Sequence, residues 1–330
     1  MVTIKDIAER AGVSFSTVSK ALLGSPLVKI KTKQRILSIA KEMGYQPNYA
    51  ARRLVSRKSG AIGVVWPSIE RAALSSLITN LNEELEKEGY TTMISMSRVD
   101  SAIEAFRRFQ VDAILVFGDK ENESSQPDLS PFLIPILTYG AAKYTPYSAV
   151  DVNRGQAIRL AVRHLAGLGH RSICFVGEPQ THDPLQAVKI EAFRDEITLL
   201  GLPFADDSIV QMKGLAFHDG YLAAKTMLDQ MERPTAVISG GIDLTRGILR
   251  AITERGLKVP RDISVVSYDN LPQMEDLEVP MTVVGVAIST ITTVLARTIL
   301  ELIDAPDTHK TVHLEPELVI RDSTSFNTIS

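Results

Sequence analysis

The 330-residue chain is predicted to be an α/β protein: a small N-terminal helical headpiece followed by a core of two lobes built on parallel sheets. Three observations predict this. The first 22 residues read as two short helices joined at a glycine, and from Ala61 onward short apolar runs alternate with amphipathic stretches of helical period. Charge is also partitioned. Residues 1–58 hold 12 Lys/Arg against 3 Asp/Glu, whereas the remaining 272 hold 24 against 36, so an overall charge of −3 conceals a basic head on an acidic body.

In the headpiece, Thr3 is placed to cap a first helix, with Asp6 three residues on to complete a capping box. Ile4, Ile7, Ala8 and Ala11 share one face at helical spacing, and the two alanines permit close helix contact. Gly12 is free to take the left-handed conformation that ends a helix. Ser14 then stands at an N-cap position, and Val18, Ala21 and Leu22 form the buried stripe of a second helix. The outward positions are Phe15, Ser16, Thr17, Ser19 and Lys20: hydroxyls, a cation and an exposed aromatic, which suit phosphate and base-edge contact in a major groove. A solvated helical hairpin is the plainer reading, but it leaves an exposed Phe15 without structural use. A third helix, Thr32–Met43, supplies Ile36, Ile39, Ala40 and Met43 to close a three-helix core. So small and basic a domain is the electrostatic footprint of nucleic-acid binding, with affinity expected to fall steeply as salt rises.

The headpiece is expected to span 1–46, a hinge or linker 47–59, and the core 60–330. Pro47 breaks the third helix and Asn48 can cap a new short one. The run from Ala50 to Leu54 favours helix, but so few residues cannot hold one alone in water. Such a segment orders when a partner orders it; the alternative is a basic tether. In the core, strands are expected at 61–66, 91–96, 113–117, 134–138, 172–176, 209–212, 235–239 and 263–267. Helices are expected at about 74–88, 155–167, 185–200, 217–231, 243–255 and 287–303. Continuous apolar strands separated by helices argue for parallel sheets covered on both faces. Some 270 residues is long for one such sheet, so two lobes are the natural solution.

No signal peptide or run of membrane-spanning length is read, so a cytoplasmic location and no membrane partner are expected. Cys174, the one cysteine, lies in an apolar strand and reads as core. The six His show no metal-ligand spacing, and no P-loop, nucleophile elbow or catalytic carboxylate pair stands out. The chain is therefore read as non-enzymatic, without metal or cofactor.

The runs T-I-K-D-I-A, A-G-V-S and S-T-V-S-K-A-L, in order and without gaps, resemble the DNA-binding headpiece of the lactose-repressor/galactose-repressor (LacI/GalR) family of bacterial transcription regulators. Further runs recur in family order: V-D-V-N-R-G, G-H-R-S-I, R-P-T-A-V, K-V-P-R-D-I-S-V-V-S-Y-D-N and P-E-L-V-I-R-D-S-T. The resemblance thus covers essentially the whole chain. It implies base reading by Phe15, Ser16 and Lys20, and phosphate contact by Ser14 and Thr17. It implies a minor-groove hinge in which Leu54 wedges a base step, bordered by Ala50, Ala51 and Arg53. It also implies a periplasmic-binding-protein-like core, a homodimer on a palindromic double-stranded operator, and a small-molecule effector between the lobes. A tetramer is not expected, because no heptad tail follows Thr324. Where members commonly cap the third helix with Ser and follow with acidic residues, this chain has Lys29-Ile30-Lys31-Thr32-Lys33, a weaker cap with cations at the wrong end of the dipole.

The resemblance thins in the effector pocket. Lys189 stands where an arginine often opens an R-x-x-G-F motif, while Asp269 matches the aspartate of the G-Y/F-D-N turn. Leu215 falls where an aromatic often packs on ligand, Gly241 and Ile242 where an Asn-Asp pair is common, and Val286 where a glutamine follows P-x-T-T. Three readings stay open. An atypical, smaller or anionic metabolite is held by Lys189, Asp269 and Trp66. An ordinary sugar is held by other residues such as Ser68, Asp119, Thr138, Tyr139 or Asp243. Or no small molecule binds, and a protein partner controls a DNA-binding regulator. Trp66 reads equally as core packing at a strand end, and Lys189 with Asp269 equally as a structural ion pair. A solute-binding transport protein sharing the core is the remote alternative, against which the headpiece argues.

Overall fold

The computed structural model describes residues 2–22, 25–45, 58–66, 70–118, 134–140, 145–177, 184–210, 212, 214–230 and 233–327. It divides into two compact units, Met1–Ser59 and Gly60–Ser330. Among the described residues no helix is long and apolar enough to cross a membrane.

The first unit contains α1 (Ile4–Ala11), α2 (Phe15–Leu22) and α3 (Ile30–Glu42). Thr3 caps α1 in a capping box with Asp6, whose carboxylate accepts the Thr3 N–H at 2.7 Å and has its pKa lowered for that reason. Gly12, at φ 64°, ends the helix in the left-handed region. Of the core that the spacing predicts, Ile7, Ala8, Ala11, Val18, Ala21, Ile36 and Ala40 are buried, whereas Ile4, Leu22, Ile39 and Met43 are half-buried and Val28 joins the core instead. α3 starts at Ile30, two residues before the expected Thr32. Its N-cap, Lys29, makes no side-chain cap bond and its first turn has no acid, so the weak cap is real.

The second unit opens with β1 (Ala61–Val65), α4 (Ala72–Lys87), β2 (Thr91–Ser95), α5 (Val99–Phe109), β3 (Ala113–Phe117), β4 (Ile136–Tyr139) and β5 (Ser148–Val152). It continues through α6 (Arg154–Gly167), β6 (Ile173–Val176), α7 (Pro184–Leu199), β7 (Ile209–Val210), α8 (Phe217–Leu228), β8 (Ala236–Ser239), α9 (Ile242–Glu254) and β9 (Ser264–Asn270). A 3-10 turn, Pro272–Met274, leads to β10 (Thr282–Ala287), α10 (Ile288–Asp304), β11 (Thr311–Leu314) and β12 (Glu317–Val319). Two sheets result, ordered β11-β5-β4-β3-β1-β2 and β12-β10-β9-β8-β6-β7. Neighbours are parallel except β10 and β12, which run antiparallel.

Both faces of each sheet are covered, as continuous apolar strands require. In the first lobe Val65, Ile114 and Val116 meet Val99, Ile103 and Phe106 of α5. The opposite face, with Ile62, Val64 and Leu115, packs on Leu77, Leu81 and Leu85 of α4 and on Leu295 and Ile299 of α10. In the second lobe Phe175 and Ile238 meet Ile158 of α6 and Phe193 of α7. Its other face, with Cys174, Val176 and Val237, meets α8 and α9 through Ala224, Met227, Ile248 and Ile252. Each such fully buried aliphatic side chain contributes about 1.5–3 kcal/mol relative to exposure. Burial pushes the Cys174 thiol up to about 12, which makes it an inert core group.

The eight strands and six helices read for the core correspond to eight strands and six helices found, with the sixth expected strand, 209–212, found as Ile209–Val210. The structure adds α5, β5, β10, β11 and β12. β11 and β12 sit at sheet edges beside β5 and β10, and they are supplied by the far end of the chain. The chain passes between the lobes at 152–154, 287–288 and 314–317. Side chains tie these passages together: Asn153 Nδ2 donates to Glu315 at 3.2 Å, and Asn270 Nδ2 donates to Glu317 at 2.9 Å.

Candidate functional site

The headpiece presents one candidate surface, the start of α2. Ser14 caps the helix, its Oγ accepting the Thr17 N–H at 3.2 Å. The same Oγ lies 2.8 Å from Thr17 Oγ1 and 3.0 Å from Ser16 Oγ. Three hydroxyls are thus gathered at a helix N-terminus, where the dipole and free N–H groups favour a phosphate. Phe15 is 52% exposed beside them, and Lys20 is exposed one turn on. Val18 and Ala21 face the opposite way, into the core, so packing fixes which side chains point outward. The structure brings Ser14, Phe15, Ser16, Thr17 and Lys20 onto one short helix. The hinge residues Ala50, Ala51, Arg53 and Leu54 lie outside the described residues, as do Ser68 and Asp119.

In the core, candidate groups collect at the carboxyl ends of both sheets, where open α/β sheets hold ligands. Trp66, just past β1, is 1% exposed and stacks edge-on against Phe117 at 5.0 Å; Phe117 in turn meets Tyr139 at 5.5 Å. Trp66 is therefore core-packed, yet its Nε1–H has no acceptor. Tyr139 and Tyr268 are buried, and burial raises both phenol pKa values, so both hydroxyls stay protonated. Arg154, at the start of α6, donates to Asp151 at 2.6 Å. Burial works against its charge, but the Asp151 carboxylate beside it supports that charge and the guanidinium stays charged.

From the second lobe, Lys189 on α7 is 4% exposed. Its Nζ donates to Gly240 O at 2.9 Å and lies 3.4 Å from the centre of the Tyr268 ring. Asp269 has φ 85°, a left-handed conformation that Asp tolerates better than most residues. Its carboxylate accepts the Ile242 N–H at 3.3 Å, at the first position of α9. Asp243 serves the opposite lobe: its Oδ2 accepts the Ala72 N–H at 3.1 Å, at the start of α4. α4 has no side-chain cap of its own from Arg71, so the cap comes from across the cleft. One turn along α4, Ser76 Oγ accepts from Gln273 Nε2 at 3.2 Å. Thr138 is turned into its sheet, donating to Ser148 O at 3.2 Å.

Two residues were missed by the sequence reading. Gln186, in the first turn of α7, is 3% exposed, and its Oε1 has no partner. It lies three residues before Lys189 on the same helix face, and that spacing was the available signal. Arg154, carried within the quoted V-D-V-N-R-G run, was not singled out either. No group of three or more His, Cys, Asp or Glu that could hold a metal occurs among the described residues.

Comparison with known proteins supplies the family. Residues 3–48 match the bacterial regulatory proteins of the lacI family, and residues 162–324 match a periplasmic binding protein-like domain. The HTH-type transcriptional regulator AglR of Rhizobium meliloti (strain 1021) is 31% identical over 296 residues, covering 85% of this chain and 82% of AglR. The chain belongs to the LacI family. It is a transcription regulator of that family and not an enzyme. Catabolite control protein A of Priestia megaterium is 29% identical over 301 residues, 86% of this LacI-family chain and 89% of that protein. The crystal structure of the Lac repressor dimer bound to operator and the anti-inducer ONPF superposes with a TM-score of 0.82 at 25% identity, over 98% of this chain and 99% of that one. The headpiece and the two parallel-sheet lobes found here are that architecture.

Proposed function

We propose that this LacI-family regulator is a cytoplasmic, homodimeric repressor that binds a palindromic operator and is switched by a small metabolite held between the lobes. Phe15, Ser16 and Lys20 read base edges, while Ser14 and Thr17 hold phosphates. Ala50, Ala51, Arg53 and Leu54 form the minor-groove hinge, with Leu54 as the wedge. One observation carries the DNA reading: a 52% exposed Phe15 beside three converging hydroxyls at the N-terminus of α2. The operator and small molecule bound by the Lac repressor dimer support the same division of labour. Lys189, Asp269 and the wall that Trp66 backs are the effector side, and a sugar or sugar derivative suits their mixture of charge, hydroxyl and aromatic surface.

Selection of binding sites from random duplexes tests the headpiece. Phe15→Ala and Ser16→Ala are expected to change the selected bases, because each base contact discriminates by about 1–3 kcal/mol. Lys20→Ala is expected to weaken binding and lower its salt dependence. Identical site profiles for the parent, Phe15→Ala and Ser16→Ala would remove the base-reading assignment.

A further inference from the structure

We propose that Arg71 binds a carboxylate, so that the molecule held between the lobes is a monoanionic hydroxy acid, such as a sugar acid, and neither a neutral sugar nor a phosphate. The proposal rests on the cleft being an effector site and names its ligand class. Arg71 immediately precedes α4 and is only partly exposed, with its Nε buried. That Nε–H has no acceptor, and among the described residues no carboxylate or carbonyl pairs with the guanidinium. A guanidinium cannot shed its proton and loses hydration when it is buried. An unmet N–H and an unopposed charge therefore mark a place for an acceptor brought from outside.

Gly241, in the other lobe at the N-cap of α9, sets where that acceptor lies. A Cβ built there would stand 3.9 Å from Arg71 Nη2 and 3.2 Å from Asp269 Oδ2, and among the described residues nothing else beyond its chain neighbours comes within 4 Å. The guanidinium of one lobe thus faces the start of a helix of the other across a space that a glycine leaves open. Gly241 cannot cap α9 with a side chain, and its φ of 171° is extended backbone that any residue adopts. What the glycine provides here is room. Two features that favour an anion border that room, a side-chain cation and the positive end of a 13-residue helix.

The neighbouring carboxylates are already bound. Asp269 accepts the Ile242 N–H at 3.3 Å at the start of α9, and Asp243 accepts the Ala72 N–H at 3.1 Å at the start of α4. Each is opposed by a helix N-terminus, and neither forms an ion pair with Arg71. They also set the ligand class. The Nε and Nη edge of a guanidinium is a planar pair of donors that matches the two oxygens of a carboxylate. A sugar hydroxyl fills one N–H and leaves the charge unopposed. A phosphate dianion brings a second negative charge beside Asp243 and Asp269, which repel it. One carboxylate balances Arg71 and adds no further charge.

Calorimetric titration and thermal shift on the full chain test this. The acids are D-gluconate, D-glucuronate and D-galacturonate; D-glucose and D-galactose are their neutral counterparts, and glucose 6-phosphate is the phosphate. At least one acid is expected to bind and raise Tm, more tightly than its neutral counterpart and than the phosphate. Arg71→Gln is expected to weaken that acid about 10- to 100-fold, as loss of charge-assisted hydrogen bonds implies. Arg71→Lys keeps the charge and loses the planar pair, so it should weaken the acid less. Both variants should keep a ligand-free Tm near the parent value, because neither removes a bond that the protein makes for itself. Gly241→Val fills the space from the opposite lobe and should weaken the acid with Arg71 intact. Undiminished affinity of Arg71→Gln for the acid overturns the role of Arg71 and leaves the effector site standing. Neutral sugars or the phosphate binding at least as tightly as every acid overturns the ligand class alone. Binding of no probe overturns the effector reading, and this inference with it.

Discussion

Replacing Asp243 with alanine is expected to loosen the closed cleft. The Asp243 carboxylate accepts the Ala72 N–H at 3.1 Å and so caps α4 from the other lobe, a bond that exists only while the lobes are together. An N-cap acceptor is worth about 1 kcal/mol, within a range of roughly 0.5–2. A negative charge at a helix N-terminus adds about 0.3–1 kcal/mol at low salt. The combined loss, about 1–2 kcal/mol, shifts the closed-to-open ratio by roughly 5- to 30-fold. Asp243→Asn keeps an acceptor and loses the charge, so its shift should be smaller. Distances between spin labels on Ser101→Cys and Glu191→Cys, one exposed site on α5 and one on α7, report the lobe separation. Labelling is selective, because Cys174 is the sole cysteine, is buried, and has its thiol pushed up to about 12. A longer-distance population is expected in Asp243→Ala, a smaller one in Asp243→Asn and the smallest in the parent. Three superimposable distributions would refute the latch.

Two predictions concern stability. His170 bonds Thr235 Oγ1 at 2.9 Å, Ser264 Oγ at 3.1 Å and Ser325 O at 3.0 Å, and burial lowers its pKa, as burial also lowers that of His164. The unfolded chain therefore takes up these protons first: stability is full above pH about 6.5 and is lost as pH falls through that value toward the depressed folded ones. The drop in Tm from pH 7.5 to 5.5 should shrink in His170→Gln, and an unchanged drop would contradict the assignment. Gly247→Ala is expected to cost at least about 2 kcal/mol in urea unfolding, despite the better helix propensity of Ala. Its Cβ would stand 2.1 Å from Phe217 O and 2.5 Å from Tyr221 N, where α8 and α9 meet backbone to backbone; a parental unfolding midpoint would refute that contact.

The headpiece was legible because the signals of its first two helices agree with its core spacing. Thr3, Asp6, Gly12 and Ser14 mark ends, and Ile7, Val18 and Ile36 mark the core, so pattern and caps point to one answer. The start of α3 was placed two residues late, at Thr32, because the helix begins at Ile30 with no side-chain cap to mark it. In the core, buried parallel strands announced themselves as apolar runs. β5 contains Ser148 and Asp151, β10 is interrupted by Gly285, and β11 and β12 are short half-exposed edges, so none gives such a run. α5 was readable, with Val99, Ala102, Ile103 and Phe106 on one face. The cleft was legible only where it lies in a strand end or a quoted motif, as at Asp269 and Lys189. Gln186 and the cross-lobe use of Asp243 depend on which groups remain unpaired after folding, and pairing between residues 171 positions apart leaves no local trace.

The edge strands β11 and β12 have a consequence for synthesis. The first lobe is covered by α10 and edged by β11, yet its other strands leave the ribosome more than 130 residues earlier, the last of them ending at Val152. Neither lobe can be completed until the segment 311–319 has emerged, whereas all three headpiece helices lie within the first 42 residues. The nascent chain thus carries a finished headpiece on an unfinished body for most of its translation. A message broken before Leu314 would yield a chain with an open sheet edge, a substrate for proteases rather than a truncated regulator competing for operator sites.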